Sequence, residues 1–177
     1  MLYSTGFADW NVEMRVLTHP DPALKQKAAD VDPKTDDGLR ALVRTMAEAM
    51  YEHQGVGLAA PQIGIQKRVI VFDVDDELHA LCNPEIVERS DETELDEEGC
   101  LSVPGISVPI ERSQRIVCVG LTLEGEEVTV DADGFMARVI QHETDHLDGV
   151  LILDRAQGEA RKAALRAYNE VLATQAR

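Results

Sequence analysis

The feature that most constrains this chain is Gln141-His142-Glu143-Thr144-Asp145-His146-Leu147, close to its C-terminal end. It contains His-Glu-x-x-His. On a helix, residues four apart share a face, so His142 and His146 can reach one metal ion. Glu143 sits one step round from His142, within reach of water at that ion. The plainer alternative is a helix that carries two structural histidines.

The helix that bears this motif is predicted over roughly Phe135 to Leu147, after Asp133-Gly134 and before Gly149. A second amphipathic helix is predicted from about Asp36 to His53, with Thr35 or Asp36 as N-cap. Its Leu39, Val43, Met46 and Met50 recur at helical spacing, and these methionines read as core. Arg68 to Val74 and His79 to Pro84 flank Asp75-Asp76 as a hairpin, with extended chain continuing through Ile86-Val87. Arg115 to Leu123, a Glu124-Gly125 turn and Glu127 to Val130 make another. Between the hairpins, the acidic run Glu88 to Glu98 reads as a solvated loop or edge ribbon. Val150 to Leu153 reads as a short strand. From Arg155 onward, Leu165, Tyr168 and Leu172 form the stripe of a terminal helix. His19 and His79 read as structural and surface residues, and Cys82 and Cys118 as core thiols. Several short strands and two or three separate helices indicate an α+β fold. We expect small antiparallel sheets around a central metal-binding helix, with further helices at either end.

Two histidines need a third protein ligand to make a catalytic site. A histidine two turns on would make a metzincin-type pattern; Gly149 fits it, but position 152 is Ile. A glutamate further on, as in thermolysin-type peptidases, could be only Glu159 or Glu170, both on the charged side of the terminal helix. Cys100, between Gly99 and Leu101, is the other candidate, since a thiolate suits zinc or ferrous iron. A metal-stabilised binding module without turnover is a further alternative.

Three segments, in order, resemble the signature motifs of peptide deformylases: Gly55-Val56-Gly57-Leu58-Ala59-Ala60-Pro61-Gln62, Glu98-Gly99-Cys100-Leu101-Ser102, and Gln141 to Leu147. The resemblance runs from about Arg15 through Asp154. It implies removal of the N-formyl group from the starting methionine of new polypeptides, with release of formate. It also implies one divalent ion held by Cys100, His142 and His146: Fe2+ natively, with Zn2+, Ni2+ or Co2+ as other occupants. Glu143 would act as general base and then acid, while Gln62 and the backbone N–H of Leu101 donate to the oxyanion. The substrate would lie as an added strand along Val56-Gly57 and Gly99. Its methionine would rest near Val56, Phe135, Val139 and the ring of His142. Gly105 to Val108 lacks the basic residue that some family members place near the substrate. Implied partners are N-formyl-Met peptides, nascent chains and, through the C-terminal helix, the ribosome.

Charge supports part of this. The chain has 17 Lys+Arg against 33 Asp+Glu, a net charge of −16, which opposes wide non-specific binding to nucleic acid or anionic lipid. Residues 155–177 reverse the balance, with five bases and two acids. By spacing, Arg155, Lys162 and Arg166 fall on one flank of the terminal helix, where they could meet RNA phosphates. The three cysteines are too few and odd in number for a disulfide framework, so the chain reads as cytoplasmic; that the cytoplasm is of bacterial type is what the family resemblance implies. No apolar run approaches the roughly 20 residues of a membrane span. One catalytic domain is expected over 1–177, with 1–14 a loose extension and 155–177 the C-terminal helix.

Overall fold

The helical stripe in the first third of the chain folds as α1 (Leu39–Glu52), and Leu39, Val43, Met46 and Met50 are all buried. These facts come from a computed structural model that describes residues 15–176, so the expected extension at 1–14 lies outside the described residues. The helix starts later than its predicted caps. Gly38 is the N-cap and offers no side chain, while Asp36 Oδ1 accepts the Gly38 N–H at 3.1 Å.

Downstream come β1 (Gly57–Ala59), a 3-10 turn at Ala60–Ile63, β2 (Val69–Asp73) and β3 (Leu78–Arg89). They are followed by β4 (Thr93–Cys100), β5 (Val103–Ser113), β6 (Arg115–Leu121) and β7 (Glu127–Asp133). The chain closes with α2 (Gly134–Leu147), the single turn α3 (Ile152–Arg155) and α4 (Gly158–Gln175).

The strands form two antiparallel sheets: a five-stranded one in the order β1-β2-β3-β6-β7, and a ribbon of β4 and β5. β2 shows how the layers are built. Its side chains alternate, so Val69 and Val71 join the cluster containing Met46 and Met50 of α1. Ile70 and Phe72 face the other way, into the cluster with Ala137, Val139 and Ile140 of α2. Covered on both faces, β2 reads as an unbroken apolar run rather than an alternating one. A third cluster joins Val103, Val108 and Ile110 of the ribbon to Leu151, Ile152, Leu153 and Tyr168. Helix α2 packs against β1 and β2 of the large sheet and against β5 of the ribbon. It therefore lies between the two.

Further downstream the structure departs from expectation. Val150 to Leu153 is not a strand. Leu151, Ile152 and Leu153 are buried, but the run turns into α3, where Asp154 Oδ2 accepts the Leu151 N–H at 2.8 Å. A short apolar run carries no period that separates the two outcomes. The acidic run takes its ribbon alternative: Glu88 lies in β3 and the acids from Glu94 lie in β4, whose partner β5 is a strand that no sequence signal predicts. Arg155 ends α3 rather than lying on α4, so it does not share a flank with Lys162 and Arg166.

Candidate metal centre

Helix α2 carries both histidines of the motif, with His146 2% exposed. Cys100 ends β4, where the pairing with β5 shifts register after Gly99. Sγ of Cys100 lies 3.3 Å from Nε2 of His146, and the two Nε2 atoms are 3.2 Å apart. The three donor atoms all lie within 4.8 Å of one another. A soft thiolate with two imidazoles is a donor set for zinc or a first-row transition metal. Glu143, 4% exposed, has an Oε2 with no hydrogen-bond partner among the described residues. A buried carboxylate oxygen left free beside such a triad fits a metal and its water. The group fits.

Glu159 and Glu170, the acidic alternatives for third ligand, are on α4, and Glu159 is 81% exposed beside Lys162. Neither joins the histidines.

Sequence reasoning missed the support beneath the triad. Of β4, only Glu98 is buried. Its Oε2 accepts from Nδ1 of His142 at 2.9 Å, which leaves the ring's Nε2 turned to Cys100 and His146. Arg112 grips Glu98 with both Nε, at 2.9 Å, and Nη2, at 3.0 Å. Arg138 adds Nη1 at 2.8 Å. Burial alone would raise the Glu98 carboxyl, but the hydrogen bonds from His142 and Arg112 outweigh it and hold it at about 2. For His142, burial works against the charged form, yet Cys100 and Glu98 raise its pKa well above the ordinary value. Burial pushes Glu143 up to about 7, with His142 opposing and Glu98 reinforcing the rise. The only signal for Glu98 was its place in a recognised motif; its acidity merged with the charged run before it.

Gln62 is oriented from both ends of its amide. Oε1 accepts the Ala59 N–H at 2.9 Å, and Nε2 donates to Oγ of Ser102 at 3.1 Å. The same Nε2 lies 3.9 Å from Sγ of Cys100. Two glycines open this wall. A Cβ on Gly55 would meet Leu101 at 2.9 Å, and one on Gly57 would meet Glu143.

These groups line a cleft of about 610 Å³. Every residue given a catalytic or substrate role from sequence is part of its lining, as are Cys100 and His142, whereas His146 is not. Val139 is buried, while Val56 (44% exposed) and Phe135 (56% exposed) stand at the surface. Around Gly99 there is nothing within 4 Å of an added Cβ, so that position stays bare towards open space.

The residue pattern of polypeptide deformylases matches positions 13–162. The chain belongs to the polypeptide deformylase family. It is 54% identical over 142 residues to a peptide deformylase of Dictyoglomus thermophilum, covering 80% of this chain and 92% of that one. With a peptide deformylase of Natranaerobius thermophilus it shares 49% over 144 residues, covering 81% and 92%. The crystal structure of the peptide deformylase from Thermotoga maritima superposes with a TM-score of 0.79 at 48% identity, covering 82% and 98%. That from Legionella pneumophila gives 0.84 at 36%, covering 92% and 97%. The chain combines α and β elements with antiparallel sheets. Among the described residues, no helix is long and apolar enough to cross a membrane.

Proposed function

We propose that this deformylase hydrolyses the N-formyl group from the N-terminal formyl-methionine of newly made polypeptides and releases formate. The observation that carries the reading is the convergence of Cys100, His142 and His146 beside a buried Glu143, in a cleft whose residues match the family's three motifs. Helix α2 is then the central metal-binding helix. Cys100, His142 and His146 would hold one divalent ion, Fe2+ natively with Zn2+, Ni2+ or Co2+ as other occupants, and it would supply Lewis-acid chemistry to a carbonyl and to water.

The protein's own groups do the rest. Glu143, poised near 7 by burial, accepts the proton of the attacking water and later delivers it to the leaving amine. Charge that develops on the formyl oxygen is met by the Gln62 amide and the Leu101 backbone N–H. Ser102 holds that amide in place. The methionine side chain rests against Val56, Phe135 and Val139, and the backbone runs past Gly57 and Gly99. Among the described residues, β1 lies at the edge of the large sheet and β4 pairs only with β5, so both have an edge for a substrate strand.

We further propose one catalytic domain over 1–177, action in a bacterial-type cytoplasm on nascent chains, and docking to the ribosome through α4. For docking, the support is now narrower. Arg155 is engaged by Asp145, and Lys162 pairs with Glu159, leaving Arg166 as the member of that trio without an ion pair among the described residues. The deciding experiment is formate release from a formyl-Met peptide by anaerobically purified protein, alongside its metal content. Absence of metal-dependent formate release refutes the function.

A further inference from the structure

Asp145 occupies the second variable position of the His-Glu-x-x-His motif and is 8% exposed. Two guanidinium groups meet on it. Arg112 donates through Nη1 to Oδ2 at 2.6 Å, and Arg155 through Nε to Oδ2 at 2.9 Å and through Nη2 to Oδ1. Arg112 turns its remaining nitrogens to Glu98, and Glu98 in turn accepts from Nδ1 of His142. The result is an unbroken series of charged hydrogen bonds: Arg155, Asp145, Arg112, Glu98, His142. It starts at a half-exposed side chain on α3, passes through α2, β5 and β4, and returns to α2 at a candidate metal ligand. The three members between are buried, with side chains 11%, 5% and 5% exposed.

We propose that Arg155, Asp145 and Arg112 are positioning residues for the metal centre: they lock Glu98 against Nδ1 of His142 and so set that ring's tautomer and aim. The proposal rests on Cys100, His142 and His146 being the ligand set.

A carboxylate can accept at about four positions, and its plane is fixed only when they are filled. Glu98 has Arg112 and Arg138 on Oε1, and Arg112 and His142 on Oε2. Arg138 is anchored independently by the Ile110 and Glu94 carbonyls. Arg112 is not. Among its hydrogen bonds, the one side chain that holds it from the far side is Asp145, and Arg155 is the outer clamp on Asp145. Removing Arg155 leaves Asp145 with a single partner and lets Arg112 slacken on Glu98. The disturbance then reaches His142, although Arg155 is not part of the cleft lining. Partners behind metal ligands are worth about 10- to 100-fold in metal affinity, because a ligand that wanders gives up its ion.

The alternative is that these pairs only fasten α3 to α2. The two roles separate by kinetics of metal loss. The full chain is loaded with Co2+, and its release to excess EDTA is timed by the thiolate–cobalt absorption, well below the unfolding temperature. Arg155→Ala is expected to release Co2+ about tenfold faster. Arg155→Lys, which keeps one hydrogen bond, should fall between it and wild type. Asp145→Asn, which keeps the shape but not the charge, should accelerate release at least as much as Arg155→Ala. The control is Arg68→Ala, which removes an ion pair with Asp148 at the end of the same helix. It should lower Tm and leave release unchanged. Wild-type release rates in Arg155→Ala and Asp145→Asn overturn the proposal. So does equal acceleration by Arg68→Ala at the same loss of Tm. A wild-type protein that takes up no Co2+, or a Cys100→Ala variant that takes it up equally well, defeats the ligand set instead.

Discussion

A side-chain carbon added to Gly57 would stand 2.4 Å from Oε1 of Glu143. The edge strand of the large sheet is therefore bare where the proton-carrying carboxylate of α2 lies against it. The clashing group is the end of a flexible side chain, so Gly57→Ala should spare the fold and displace the carboxylate. We expect kcat to drop by about 10²-fold, the lower end of what general acid–base catalysis supplies. A double-mutant cycle checks the cause: Glu143→Gln should cost less in the Gly57→Ala background than in wild type. Additive effects would show that Gly57 acts some other way.

Glu143→Gln keeps the shape of the site and its three candidate ligands. Metal content should stay at the wild-type ratio while kcat falls about 10²–10⁴-fold. Turnover close to wild type would remove Glu143 from the mechanism.

Gln62→Ala should lower kcat about 10²–10³-fold with a smaller change in KM, the pattern of a lost oxyanion donor. If KM alone rises, the amide that Ser102 holds serves binding rather than the transition state.

The three thiols should separate cleanly. Burial pushes Cys82 and Cys118 up to about 11, and both are fully enclosed, so neither offers thiolate at neutral pH. Iodoacetamide should label Cys100 alone in folded, chelator-treated protein, as read by peptide mass mapping. Cys100→Ala should lose tight metal binding, whereas Cys82→Ala and Cys118→Ala should cost stability only. Two or three labelled thiols contradict this assignment.

Glu98 predicts an acid limb. Its pKa falls from 4.5 to about 2 in the folded chain, so its contribution is complete above 4.5 and disappears as pH drops towards 2. With a side chain 5% exposed, screening is slight, and the shift corresponds to about 3 kcal/mol. Denaturant titrations should find wild type more stable than Glu98→Gln at pH 6, with the gap closing between about pH 4.5 and 2. A gap that stays constant over that window disproves the linkage.

What could be read from sequence was what local spacing determines. His142 and His146 announce their shared face because the helical repeat is enough to bring them together, and α2 falls within a residue of its expected span. Leu39 to Met50 and the β6–β7 hairpin were visible for the same reason. β5 was hidden because Pro104, Gly105 and Pro109 interrupt its alternation, while Val108, Ile110 and Arg112 still face inward. The pairing of Arg112 with Glu98 and Asp145 joins residues 14 and 33 positions apart, and no local period records it. In an acidic chain, one buried glutamate reads like its exposed neighbours until the fold closes over it. Cys100 stood as a candidate on the chemistry of a thiolate, with Glu159 and Glu170 as the acidic alternatives, and the family resemblance is what placed it in the ligand set.

The acids of β4 acquire a further meaning from where that strand lies. A strand with an unpaired edge is a template for any other extended chain, including another copy of itself. Glu94, Asp96 and Glu97 are exposed along it, on a protein of net charge −16. Two such ribbons brought together would set like charges within a few ångströms, closer than the roughly 8 Å over which physiological salt screens them. An arriving peptide brings no such row of charges. On the proposed path of the substrate, the same border would thus admit a guest strand while its acids oppose pairing with its own kind.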